Sequence, residues 1–109
     1  MKYKVYNEWN EKSWDLADGT CYQGSANTPY FELVEVFGEP NLDGSGDGKV
    51  QAEWILEFED GEVATIYDWK ECEKTFEFVT DWHIGGHNTL VVDRINKMLQ
   101  KNLDRKCLV

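Results

Sequence analysis

Proline and histidine each occur only twice in these 109 residues, cysteine three times, and lysine plus arginine eleven times against twenty-one acidic residues. Each scarcity excludes something. Cys21, Cys72 and Cys107 are odd in number and show no C-x-x-C spacing, so they read as free thiols rather than a disulfide framework or a zinc site. No apolar run reaches the ~18 residues of a membrane span, and the opening Met-Lys-Tyr-Lys-Val-Tyr lacks the apolar stretch of a secretory signal. The expectation is a protein without a membrane partner, kept in the cytoplasm. With a formal charge of -10 the chain is a poor ligand for duplex DNA or RNA, which demands clustered Lys and Arg. Repeats, low-complexity tracts, and P-loop, nucleophile-elbow and kinase signatures are all missing, so no catalytic turnover is expected.

Rings are plentiful. Aromatics make up 14% of the chain, with five Trp, five Tyr and five Phe, enough for a packed core in one domain. Charge is unevenly spread: residues 88–109 hold five basic and two acidic groups, whereas residues 1–87 hold six and nineteen. The basic tail reads as a helix C-terminus whose cations suit the dipole.

The pattern predicts an α+β domain in which an antiparallel sheet of three to five strands carries two helices on one face. Residues 1–17 form an N-terminal arm or edge strand, 18–102 the core and 103–109 a tail. Residues 7–18 stay ambiguous between a strand pair and an irregular arm, and 19–24 are an extended piece bent at both glycines. Thr28 as cap and Pro29 at the first helical position open a helix near 29–37, with Tyr30, Leu33, Val34 and Phe37 as its apolar stripe. The segment 41–48 resembles a calcium loop, but counting from Asp43 the twelfth residue is Trp54 rather than Glu, so it is expected to be a plain polar loop. Strict alternation over 50–58, the turn Glu59-Asp60-Gly61 and a return over 62–69 predict a hairpin. A third strand is expected over 76–84 and a final helix, capped by Asn88, over about 89–102.

The sequence Asp81-Trp82-His83-Ile84-Gly85-Gly86-His87-Asn88 offers the most chemistry. A glycine pair running into a helix is either a tight turn needing positive φ or an anion seat on free helix N–H groups. In the second case Gly86→Asp should abolish ligand binding and leave the fold largely intact. His83 and His87 would need one or two further ligands to hold zinc; Asp81 and Cys72 could serve, but nothing in the spacing demands it, so no metal is expected. Glu53 and Glu57 could form a carboxylate pair, yet a solvent-facing strand position explains them without catalysis. Trp69, Trp82, Tyr22 and Tyr67 could stack on a planar base or serve as core.

The ordered motifs Gly-Thr-x-x-Gln-Gly (19–24), Phe-Gly-Glu-Pro (37–40), Trp-x-Leu-Glu-Phe-Glu-Asp-Gly (54–61), Ala-Thr-Ile-Tyr-Asp-Trp-Lys (64–70) and Trp-His-Ile-Gly-Gly (82–86) resemble a family of small proteins encoded by tailed bacteriophages. The resemblance spans roughly residues 18–100 and departs from the family pattern at Cys21-Tyr22. By association with phage immune-evasion sponges, it implies a cofactor-free protein in the infected host's cytoplasm that binds a cyclic nucleotide signal of bacterial defence, such as that of CBASS, without cleaving it. The implied ligand residues are Thr20, Gln23, Thr65, Tyr67, Lys70, Trp82, His83, Gly85 and Gly86. Hydroxyls and the amide would read base edges and ribose, rings would stack, and Gly85-Gly86 would take phosphate. Because so small a domain has little depth for a closed pocket, a homodimer or higher homo-oligomer sharing ligand sites is expected. The rival reading is an acidic inhibitor that blocks a nucleic-acid-binding host enzyme by mimicking phosphate.

Overall fold

A computed structural model describes residues 2–8, 10–42, 50–69 and 75–107. The polar loop 43–48, Lys70 and Cys72 lie outside the described residues. Five strands, β1 (Tyr3–Tyr6), β2 (Cys21–Asn27), β3 (Glu53–Phe58), β4 (Val63–Tyr67) and β5 (Asp81–Gly86), form one antiparallel sheet in the order β1-β3-β4-β5-β2. Among the described residues three α-helices accompany it: α1 (Glu11–Ala17), α2 (Tyr30–Phe37) and α3 (Leu90–Cys107). The fold is α+β.

The β3–β4 hairpin sets the register. Trp54 pairs with Ile66 and Leu56 with Ala64, and the turn closes through Gly61, whose φ of 89° is open to glycine. On β5, Trp82 and Ile84 continue the same side, and Ala26 of β2 lies opposite Trp82. These side chains, with Leu33 and Phe37 of α2 and Val91, Ile95 and Leu99 of α3, make the buried core. Trp54 and Trp82 meet edge to face at 5.5 Å, with Tyr30 of α2 beside both rings.

Two helices therefore cover one face as the apolar stripes require. The third, α1, corrects the ambiguous reading of residues 7–18. Asn10 caps it reciprocally: Ser13 N–H donates to Asn10 Oδ1 at 3.0 Å, and Asn10 N–H donates to Ser13 Oγ at 2.9 Å. This helix lies against β3 and β4 on the face opposite α2 and α3, where Lys12 reaches Glu57 at 3.8 Å.

The expected strand over 76–84 divides. Phe76–Phe78 is a 3-10 turn, and β5 begins only at Asp81. Tight coiling lets Phe76 pack on the Tyr30 ring while Val79 enters the core and its carbonyl accepts the Trp82 indole N–H at 3.1 Å. Helix α2 starts at Tyr30, one residue later than expected: Pro29 rather than Thr28 is its N-cap residue and has no side-chain acceptor, so the cap carries no side-chain hydrogen bond, while the Thr28 N–H donates to Thr80 O. Helix α3 runs through Cys107, so the segment expected as a tail is helical for its first five residues. Lys106 there bridges Glu32 and Glu35 of α2, and Arg94 holds Asp60 of the hairpin turn with two hydrogen bonds. That pairing draws the Asp60 carboxyl down to about 2.

Candidate functional site: an aromatic face on the sheet

Alternation decides which side chains share the second face. Once Trp82, Ile84, Ile66 and Ala64 point to the core, His83 and Gly85 of β5 and Thr65 and Tyr67 of β4 point the other way. Tyr22 and Ser25 of β2 join them through the pairs Tyr22–Gly85 and Ser25–His83. Trp69, just past β4, completes a ring cluster with His83 at its hub. The His83 ring lies 4.7 Å from Tyr22, 5.6 Å from Tyr67 and 6.4 Å from Trp69, the last with planes only 28° apart. Tyr22 remains 55% exposed and Trp69 39%, so these rings face solvent rather than core. The Tyr22 hydroxyl and Ser25 Oγ are 2.9 Å apart and share a hydrogen bond.

A glycine makes the cluster possible. A Cβ at Gly85 would collide with Thr65 Oγ1 and approach Tyr67 Cε1 to 3.4 Å, so its absence lets both side chains occupy the middle of the face. Glu53, paired with Tyr67 in the hairpin register, adds a carboxyl. Burial, and secondarily the nearby Asp68 carboxylate, raise Glu53 from 4.5 to about 7. Burial, followed by the Glu53 charge, likewise raises the Tyr67 phenol. The face therefore combines exposed rings at Tyr22 and Trp69 and the exposed Ser25 hydroxyl with a buried Thr65 and a half-buried Glu53 carboxyl where α1 lies against β3 and β4.

The raised carboxyl has a measurable consequence. Below about pH 4.5 Glu53 is neutral in both folded and unfolded chains. Between 4.5 and about 7 only the unfolded chain ionises it, so its contribution falls as pH rises through that window. Allowing for partial solvation, urea titrations at about pH 5 and about pH 8 should show the parent losing roughly 2–3 kcal/mol more than Glu53→Gln. Parallel pH profiles would contradict the burial of this carboxyl.

The nine residues singled out from the sequence do not form one site. Thr65, Tyr67, His83 and Gly85 share the aromatic face. Thr20 closes the α1–β2 connection, its Oγ1 donating to Ala17 O at 2.7 Å. Gln23 is the extra residue of a bulge in β2, and its Nε2 donates to Gly86 O at 3.0 Å. Trp82 is fully buried on the opposite face. Lys70 lies outside the described residues.

The anion-seat reading of Gly85-Gly86 is corrected. Both are strand residues of β5, paired with β2 on one side and β4 on the other, and neither has positive φ. Helix α3 begins four residues after Gly86, where Leu90 N–H donates to Asn88 Oδ1 at 2.9 Å. Gly86 is small because Val91 of that helix packs on it: a Cβ would meet Val91 Cγ2 at 2.7 Å and Val63 O at 3.0 Å. Ser25 and Glu53 were missed as partners of the rings, although the period-2 alternation of β2 and β3 carried the signal.

Among the described residues no three His, Cys, Asp or Glu side chains converge as a metal site. No described helix is long and apolar enough to cross a membrane. No family model, curated protein or solved structure matches the chain.

Proposed function

We propose that the protein is a non-catalytic binding module that takes a flat, nucleobase-like ring on the Tyr22–His83–Tyr67–Trp69 face. On the phage-family resemblance, the ligand is a cyclic nucleotide signal of bacterial antiviral defence, held intact in the cytoplasm of the infected host. The observation that supports this reading is the convergence of four rings on the sheet face opposite α2 and α3, two of them exposed, beside hydroxyls that can hydrogen-bond base and ribose edges. Stacking on such platforms contributes roughly 1–3 kcal/mol per base. An open face cannot enclose a ligand alone, so a second copy of the chain is proposed as the opposite wall. The net charge of -10 opposes an anionic ligand at long range, but salt screening confines that effect to about 8 Å.

Phosphate mimicry by the acidic surface is the weaker reading. Glu32, Glu35, Glu57, Asp60 and Asp93 already carry Lys or Arg partners, which breaks up the uniform negative field a mimic requires.

A thermal-shift screen against cyclic mono-, di- and trinucleotides and cyclic ADP-ribose isomers tests the proposal. A ligand at ~100 Kd should stabilise the fold by ~2.7 kcal/mol. Tyr22→Ala should melt close to the parent while binding roughly 5- to 150-fold more weakly, and the bound ligand should be recovered chemically unchanged after denaturation. Absence of any stabilising nucleotide, full affinity in Tyr22→Ala, or a hydrolysed product would each refute it.

A further inference from the structure

On the opposite side of the sheet, α3 and the α2–β1 edge enclose a groove of about 500 Å³, within the ~300–1,000 Å³ range of small-molecule sites. Its walls gather four of the eleven cations of this acidic chain, Arg94, Lys97, Lys101 and Arg105, spaced three, four and four residues apart along one side of α3. The helix dipole accounts for Arg105 in the last turn, but its influence does not reach the three cations further upstream.

Two of the four are already neutralised: Arg94 grips Asp60, and Lys97 pairs with Asp93 at 2.9 Å. Lys101 and Arg105, one turn apart, have no ion-pair partner among the described residues. The acid on the far wall, Glu35, is held by Lys106 and by Asn102 Nδ2. The groove lining also includes the apolar or aromatic side chains of Tyr3, Phe58 and Met98.

We propose that this groove is an anion site for a small organic phosphate bearing a flat ring, the chemistry of a nucleoside phosphate. The ring rests against Tyr3 and Met98, and the phosphate accepts hydrogen bonds from the Arg105 fork and the Lys101 ammonium. Neither residue supports the core, since both are exposed. The site is independent of the aromatic face, because Tyr3 lies opposite the core residue Phe58 and the groove therefore opens on the helix-covered side.

Titrating 15N-labelled protein with ADP and, separately, with inorganic pyrophosphate tests this. ADP should shift the amides of residues 94–105, bind more tightly than pyrophosphate, and weaken as NaCl is raised. The Lys101→Gln/Arg105→Gln variant should melt like the parent and bind ADP at least about tenfold more weakly, whereas Tyr22→Ala should leave the shifts along α3 in place. Unchanged affinity in the double variant, pyrophosphate binding as well as ADP, or shifts confined to the Tyr22–His83 face would overturn it. So would a parent dimer that the double variant splits while ADP leaves its spectrum unmoved, which would give the groove to a second copy of the chain.

Discussion

Gly86→Asp should leave the chain largely unfolded, rather than folded and unable to bind. Two effects add. The new Cβ must enter space held by Val91 Cγ2 at 2.7 Å and by the Val63 carbonyl at 3.0 Å, and a carbonyl inside a sheet ladder cannot yield as a side-chain tip can. Overpacking of this kind costs ~1–3 kcal/mol, which is the loss expected for Gly86→Ala. Aspartate adds a carboxylate beneath fully buried Val91, and burying an unpaired charged or polar group costs several kcal/mol more. Together they exceed the ~4 kcal/mol that marks an exceptional substitution, in a domain class stable by only ~5–15 kcal/mol. Far-UV circular dichroism and amide dispersion will show it. A Gly86→Asp protein that melts near the parent would mean that the β5–α3 contact is wrong.

The second large effect belongs to Trp82. The ring has no exposed surface, stacks edge to face on Trp54, and donates its indole N–H to Val79 O at 3.1 Å. Trp82→Ala should cost ~3–5 kcal/mol through lost burial and the cavity left behind. Trp82→Phe should retain most of the packing and lose on the order of 1–3 kcal/mol, because it strands the Val79 carbonyl. Urea denaturation separates the two variants. Tyr22→Ala is the control: its ring is more than half exposed, so the same assay should register little change. A stable Trp82→Ala that has lost only ligand affinity would return this residue to the binding surface.

Much of the fold was legible because it rests on local periodicity. The alternation of residues 50–58 around Asp60-Gly61 gave the hairpin, trimmed in the structure to Glu53–Phe58 and Val63–Tyr67, where the ladder pairs. The stripes Tyr30–Phe37 and Val91–Leu99 gave two helices packed on one face. The capping box of Asn10 and Ser13 was also present in the sequence. It was obscured because α1 is a seven-residue helix whose Trp14 remains 63% exposed, so no apolar stripe announces it.

The candidate site was only half legible, and for a definite reason. Residue types show which side chains can stack or hydrogen-bond, and alternation shows which neighbours on a strand share a face. Neither says which strands lie side by side. Tyr22 meets His83 because β2, an early segment, adds to the far edge of β5 across some sixty residues of intervening chain. Lys101 and Arg105 border a groove because α3 crosses back towards α2 and β1. Sequence alone determined the α+β class, the hairpin, the core faces of two helices and the supply of rings, since these follow from short-range spacing and burial. Tertiary structure decided that Gly85 and Gly86 serve packing within the sheet, that Trp82 is core, and that His83, Tyr67, Tyr22 and Trp69 share an open face. Those outcomes depend on strand order and on helix-to-sheet contact distances, which no local pattern encodes.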